Sequence, residues 1–274
     1  MRIVDLDAEF EKYLKAWMAR HSAQYGNNLD KLEEMVPDVY MTFLETPLEL
    51  LEGKSPEEWY DSFSDPAELV EALKAHIREH VAVPDLLMER IVAVPETEQY
   101  LLEMIRDTSL DEETRMTAVS LMQEIGGTSP MESYLDIITP LEESSDLGDI
   151  CAESLISMGD TVVEPVLARY PQAGAAAKNI FTDVLSNFGQ DDRIYRILEE
   201  RFRTQTDERA LFASYLAKYR DERALPMLIE ASQEPGLGYL DFLEIANAIE
   251  ALGGDRPAER EYAGDPYYEA LGRL

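Results

Sequence analysis

The sequence predicts an all-α fold, an α-α superhelix of stacked helical hairpins behind an N-terminal helical cap. Three observations lead there. Apolar residues recur at three- and four-residue spacing almost throughout, and no segment keeps strand alternation for long. Gly and Pro fall mainly at the joints between these segments. An apolar-plus-turn landmark returns in phase at Ile125-Gly126, Met158-Gly159, Phe188-Gly189, Tyr219-Arg220 and Leu252-Gly253, its second positions 33, 30, 31 and 33 residues apart.

Residues 1–83 do not share that phase and read as the cap. Over residues 5–20 an amphipathic helix sets Leu6, Phe10, Tyr13, Leu14 and Trp17 on one face. Ser55-Pro56-Glu57-Glu58 and Asp65-Pro66-Ala67-Glu68 both read as capping-box starts, with Pro at N1 and Glu at N3. The stretch from Leu50 to Tyr60 stands out as a motif without an evident function. Its Gly53-Lys54-Ser55 is not a phosphate loop, because Leu48 stands where the first glycine is needed and no strand precedes it. Residues 84–274 read as the repeat region, with 84–107 one degenerate hairpin broken at Val94-Pro95 and clear repeats over about 108–255.

Within each repeat the landmarks line up. Four residues before each turn stand Met122, Leu155, Leu185, Leu216 and Ile249; eight before stand Ala118, Cys151, Phe181, Phe212 and Ile245. These offsets make one stripe on a helix. Seven before come Val119, Ala152, Thr182, Ala213 and Ala246, small enough to admit a neighbouring helix. A second helix follows each turn, with Pro165 and Pro226 in its first turn and Leu167, Ile197 and Leu228 at a common offset of eight. One hairpin cannot bury its own apolar faces, so neighbours must stack. The fifth unit loses its second helix at Asp255-Arg256-Pro257, and Asp265–Leu271 reads as a short helix closing the end.

These units resemble HEAT repeats of the PBS-lyase type, within the wider armadillo-like class. The pattern runs Asp, Arg, paired alanines, Leu, an apolar-Gly-Asp turn and Ala-x-Pro-x-Leu. Asp207, Arg209, Ala213, Leu216, Asp221, Ala224, Pro226 and Leu228 match it most fully, with Arg220 in place of the turn glycine. Asp111 to Gly126 carries Arg115, Ala118 and the Ile-Gly turn, whereas the next unit has Gly148 where Arg is expected. The resemblance implies a solenoid whose second helices line a groove. It implies a non-catalytic scaffold that binds a protein or peptide partner there, with a bilin-lyase-like enzyme as an alternative. On those helices Arg193, Arg196 and Arg223 are the candidate contact residues.

Composition narrows the rest. A net charge of −32 from 56 Asp and Glu against 24 Lys and Arg argues against a nucleic-acid binder, which gains affinity through cationic contacts with phosphates. Because the acids are spread along the chain, they read as solvating helix faces, with steering of basic partners the sharper reading. No run approaches a membrane span and the N-terminus turns acidic at once, so a cytoplasmic protein is expected. The single cysteine, Cys151, reads as a packing residue. His76-Ile77-Arg78-Glu79-His80 spells H-x-x-E-H, whose histidines share a helix face at i and i+4; with a third ligand such as Glu142, Glu143 or Glu153 it would make a zinc hydrolase. Neither metal nor cofactor is expected to be needed, and both histidines are expected to titrate ordinarily.

Overall fold

A computed structural model of the chain describes residues 1–22, 29–258 and 260–271. The described residues form helices and turns, with no strand among them. Their contacts divide the chain into two compact units, Met1–Ser133 and Tyr134–Leu274.

The first unit contains α1 (Leu6–His21), α2 (Leu29–Glu33), α3 (Val36–Leu44), α4 (Pro56–Asp61), α5 (Pro66–Arg78), α6 (Asp85–Ala93), α7 (Thr97–Arg106) and α8 (Glu112–Ile125). Asp5 starts α1 by accepting a hydrogen bond from the Ala8 N–H. The helix then packs on α3 through its aromatic face, with Phe10 4.9 Å from Tyr40 and Tyr13 5.4 Å from Phe43, centroid to centroid. At Ser55 the full capping box forms: its hydroxyl accepts from the Glu58 N–H and Glu58 accepts from the Ser55 N–H. At Asp65 only the forward half forms. The Leu50–Tyr60 motif thus has a local role. Glu52 and Gly53 turn the chain at φ 58° and 82°, Lys54 lies over the Trp59 ring, and Trp59 and Tyr60 enter the core. Packing in this unit runs by alternate helices, α4 on α6, α6 on α8 and α5 on α7, and it crosses residue 83 without interruption.

α9 (Met131–Ile138) straddles the division. The second unit continues with α10 (Asp146–Ser157), α11 (Val163–Arg169), α12 (Ala175–Ser186), α13 (Asp192–Thr204), α14 (Arg209–Tyr219), α15 (Leu225–Ser232), α16 (Tyr239–Ala251) and α17 (Pro266–Leu271). Here α10 packs on α12, α12 on α14 and α14 on α16. Of the stripe read from the sequence, Leu155, Leu185, Leu216 and Ile249 are buried in this unit, as are Cys151, Phe181, Phe212 and Ile245; Met122 and Ala118 are buried in the first.

The turns show how the spacing is accommodated. Gly126, Gly159 and Gly253 take φ of 82°, 75° and 84° at three helix ends. Arg220 adopts the same left-handed backbone, φ 61°, despite its side chain. Between α12 and α13 the left-handed residue is Gln190, φ 74°, not Gly189. Of the three residues expected at the common offset only Leu228 is fully buried: Leu198 takes the core position in place of half-buried Ile197, and Val166 in place of half-buried Leu167. At Gly148 a Cβ would lie 2.6 Å from Leu141 Cδ1 and 3.3 Å from Ile180 Cδ1, so the expected arginine would require those side chains to move. Beyond α16 the tail folds back, with Tyr262 against Phe242, Tyr268 against Tyr239, and Asp265 accepting the Tyr239 N–H at 2.9 Å.

Candidate functional site

The sequence-predicted arginines lie at the starts of the second helices. Asp191 caps α13 and Asp221 caps the short turn ahead of α15; each accepts hydrogen bonds from the arginine two residues on. Arg193 also reaches back to Glu164 on α11, and Arg223 to Asp192 on α13 at 2.8 Å, so each bridges to the preceding hairpin. The Tyr219 hydroxyl fixes this edge by bonding both the N–H and the carbonyl of Asp191 at 2.8 Å. Hydrogen bonds from Arg193 hold the Glu164 and Asp191 carboxyls below their usual range, and those from Arg223 do the same for Asp221. Arg193 and Arg223 are therefore neutralised in place and supply no island of positive potential. Arg196 is exposed on α13 with no ion pair among the described residues.

The H-x-x-E-H stretch does not form a zinc pair. α5 ends at Arg78 and His80 lies beyond it at φ 53°, so the two histidines share no helix face. His76 is fully buried and its Nδ1 lies 3.0 Å from the Ala82 carbonyl, while His80 is exposed. Burial pushes the His76 pKa below its ordinary value, against the expectation of normal titration. No group of three or more His, Cys, Asp or Glu side chains suited to a metal occurs among the described residues.

A concavity of the second unit lies elsewhere, across the first helices. A groove of about 1030 Å³ is walled by α10 (Asp149, Ala152, Glu153), α12 (Ala175, Ala176, Lys178, Asn179, Ile180, Asp183), Arg201 of α13 and Tyr215 of α14. Glu142, Glu143, Ser144, Gln205, Asp207 and Glu208 complete it from the loops before α10 and α14. None of Arg193, Arg196 and Arg223 lines it.

Several of these groups are committed to structure. The Glu142 carboxylate accepts the Ala175 N–H at 3.0 Å and so caps α12. Asn179 donates to Glu208 at 3.0 Å and accepts from Arg201, whose guanidinium lies 4.8 Å from the Phe212 ring centroid. Lys218 pairs with Asp183 at 2.5 Å. Glu143, Asp149, Glu153 and Asp207 have no ion pair among the described residues. The local field is accordingly negative. Loss of solvent, and then the charges of Asp146, Glu153 and Asp183, raise the Asp149 carboxyl pKa. Burial, then Asp183, Glu208 and Asp149, raise the Tyr215 phenol. The groove is thus poised to receive positive charge beside an aromatic ring.

No helix among the described residues is long and apolar enough to cross a membrane. Comparison with protein-family models, curated proteins and solved structures finds no match.

Proposed function

We propose that the chain is a non-catalytic interaction scaffold of stacked HEAT-like hairpins, and that its second unit binds a basic segment of a partner protein in the acidic groove. The alternate-helix packing and the buried residues at matching offsets support the repeat reading. The observation that carries the binding reading is the charge imbalance of the groove, seven carboxylates lining it against Lys178 and Arg201. An overall charge of −32 adds long-range attraction for such a partner, strongest at low ionic strength.

Fluorescence anisotropy with a labelled octalysine peptide tests this reading. The full chain should bind it with affinity that falls as salt rises. A Glu143→Gln/Asp149→Asn/Glu153→Gln variant should bind it at least about tenfold more weakly, since close unscreened charges contribute most of such a contact. Equal binding by the two proteins would remove the groove from consideration.

A further inference from the structure

We infer that the Asp183 carboxylate and the Tyr215 ring form a cation subsite within the groove, which the chain's own Lys218 fills until a lysine side chain of the partner displaces it. This rests on the groove reading above and adds to it a self-occupied, competitive site.

The geometry supplies the recognition. The Lys218 ammonium lies 2.5 Å from Asp183 Oδ1 and 5.3 Å from the centroid of the Tyr215 ring. A carboxylate and an aromatic face around one ammonium are two attractions that any incoming lysine can reproduce. Tyr215 in turn lies edge-on to buried Phe212, ring centroids 5.8 Å apart, so its ring rests on core.

Tyr215 and Lys218 are also particular to their hairpin. At the position of Tyr215 the other repeats carry Leu121, Ser154, Val184 and Ala248; at that of Lys218 they carry Glu124, Ser157, Asn187 and Ala251. An interlock of the repeat itself would recur, as the Asp-x-Arg bridges at Arg193 and Arg223 do. This one does not.

Lys218 is held less firmly than the arginines around it. Arg223 is held by Asp221 and Asp192 together and lies over Tyr195 at 4.3 Å. Arg201 has a side chain only 15 % exposed and bonds to Asn179. Lys218, by contrast, is 41 % exposed and meets a single carboxylate and one ring through a flexible stem. An exposed pair of this kind holds weakly, and a competing ligand needs to offset only that small penalty to open the site.

The test compares octalysine binding to the full chain and to its Lys218→Gln, Lys12→Gln and Lys218→Gln/Asp183→Asn variants. Lys12, 68 % exposed in the first unit, controls for the loss of one positive charge. Lys218→Gln should bind about threefold tighter than Lys12→Gln, the gain expected on removing a weak internal competitor. Adding Asp183→Asn should abolish that gain, and an octalysine with acetylated side chains should bind none of the four proteins. If the wild type binds and Lys218→Gln matches Lys12→Gln, the subsite is refuted and the groove reading stands. If neither the wild type nor Lys218→Gln binds, both fall.

Discussion

Replacing Leu185 by Ala is the sharpest check on the packed stripe. Leu185 is fully buried on α12, which packs against both α10 and α14. The change removes about three buried carbon groups, worth about 0.8 kcal/mol each, or roughly 2.4 kcal/mol of lost transfer energy. The cavity adds to this, because helices held on both sides of α12 cannot collapse freely into the gap. A total loss of about 3–4 kcal/mol is expected. Leu211, 36 % exposed one turn from Tyr215 on α14, provides the comparison, and its replacement by Ala should cost no more than about 1 kcal/mol. Urea denaturation followed by circular dichroism reads both as a shift of midpoint at unchanged slope. A Leu185→Ala loss below about 0.5 kcal/mol, or a loss equal to that of Leu211→Ala, would refute the assignment of Leu185 to a continuous core.

Two further outcomes follow from the described geometry. His76 is buried with its pKa depressed, chiefly by desolvation, so the unfolded chain takes up its proton at a higher pH than the folded one. Its contribution is complete above the unfolded value near 6.5 and is lost as the pH falls through the folded pKa. Stability should therefore drop on acidification from pH 7.5 to 5, and His76→Gln should flatten that part of the profile; an unchanged slope in the variant would contradict this. Arg220 holds a left-handed backbone at φ 61°, as Gly126, Gly159 and Gly253 do at other helix ends. Arg220→Gly should stabilise the chain by about 1 kcal/mol, measured by urea denaturation, because only glycine takes that conformation without strain.

Periodicity in the sequence reports which residues leave water, and that part of the fold was legible. The stripe through Phe181, Leu185, Phe212 and Leu216 follows from apolar spacing alone, because burial of those side chains is what forms the helix pairs. Register was less legible. The landmarks keep their spacing, yet the core position of the next helix shifts by one residue, to Val166 in one unit and to Leu198 in the next. The groove was not legible, because apolar periodicity is silent about which exposed faces become concave. Its signal lay in departures from the repeat, an aromatic at Tyr215 and a lysine at Lys218 where other units carry neither. The arginine bridges had a readable signal too, in Asp191-x-Arg193 and Asp221-x-Arg223, but the partners Glu164 and Asp192 appear only once consecutive hairpins are stacked.

That stacking also bears on why the chain is so acidic. Solubility alone favours carboxylates on convex surfaces, where water screens them and each charge is nearly free of cost. Several here do the opposite. Asp149 is kept in a groove beside Glu153 and Asp183, where partial loss of solvent and like charges raise its pKa, so its ionised form destabilises the folded chain. Meanwhile Arg193 and Arg223 are committed to bridges outside the groove, and Asp149 and Glu153 have no ion pair among the described residues. A charge that works against folding and could be removed by one substitution to Asn is a poor solubiliser but a good half of an interface. Acidification sharpens the contrast: protonation of Asp149 relieves its folding penalty while discharging the groove. Asp149→Asn should accordingly leave folding intact and weaken capture of a cationic segment, a separation of effects that solvation alone does not produce.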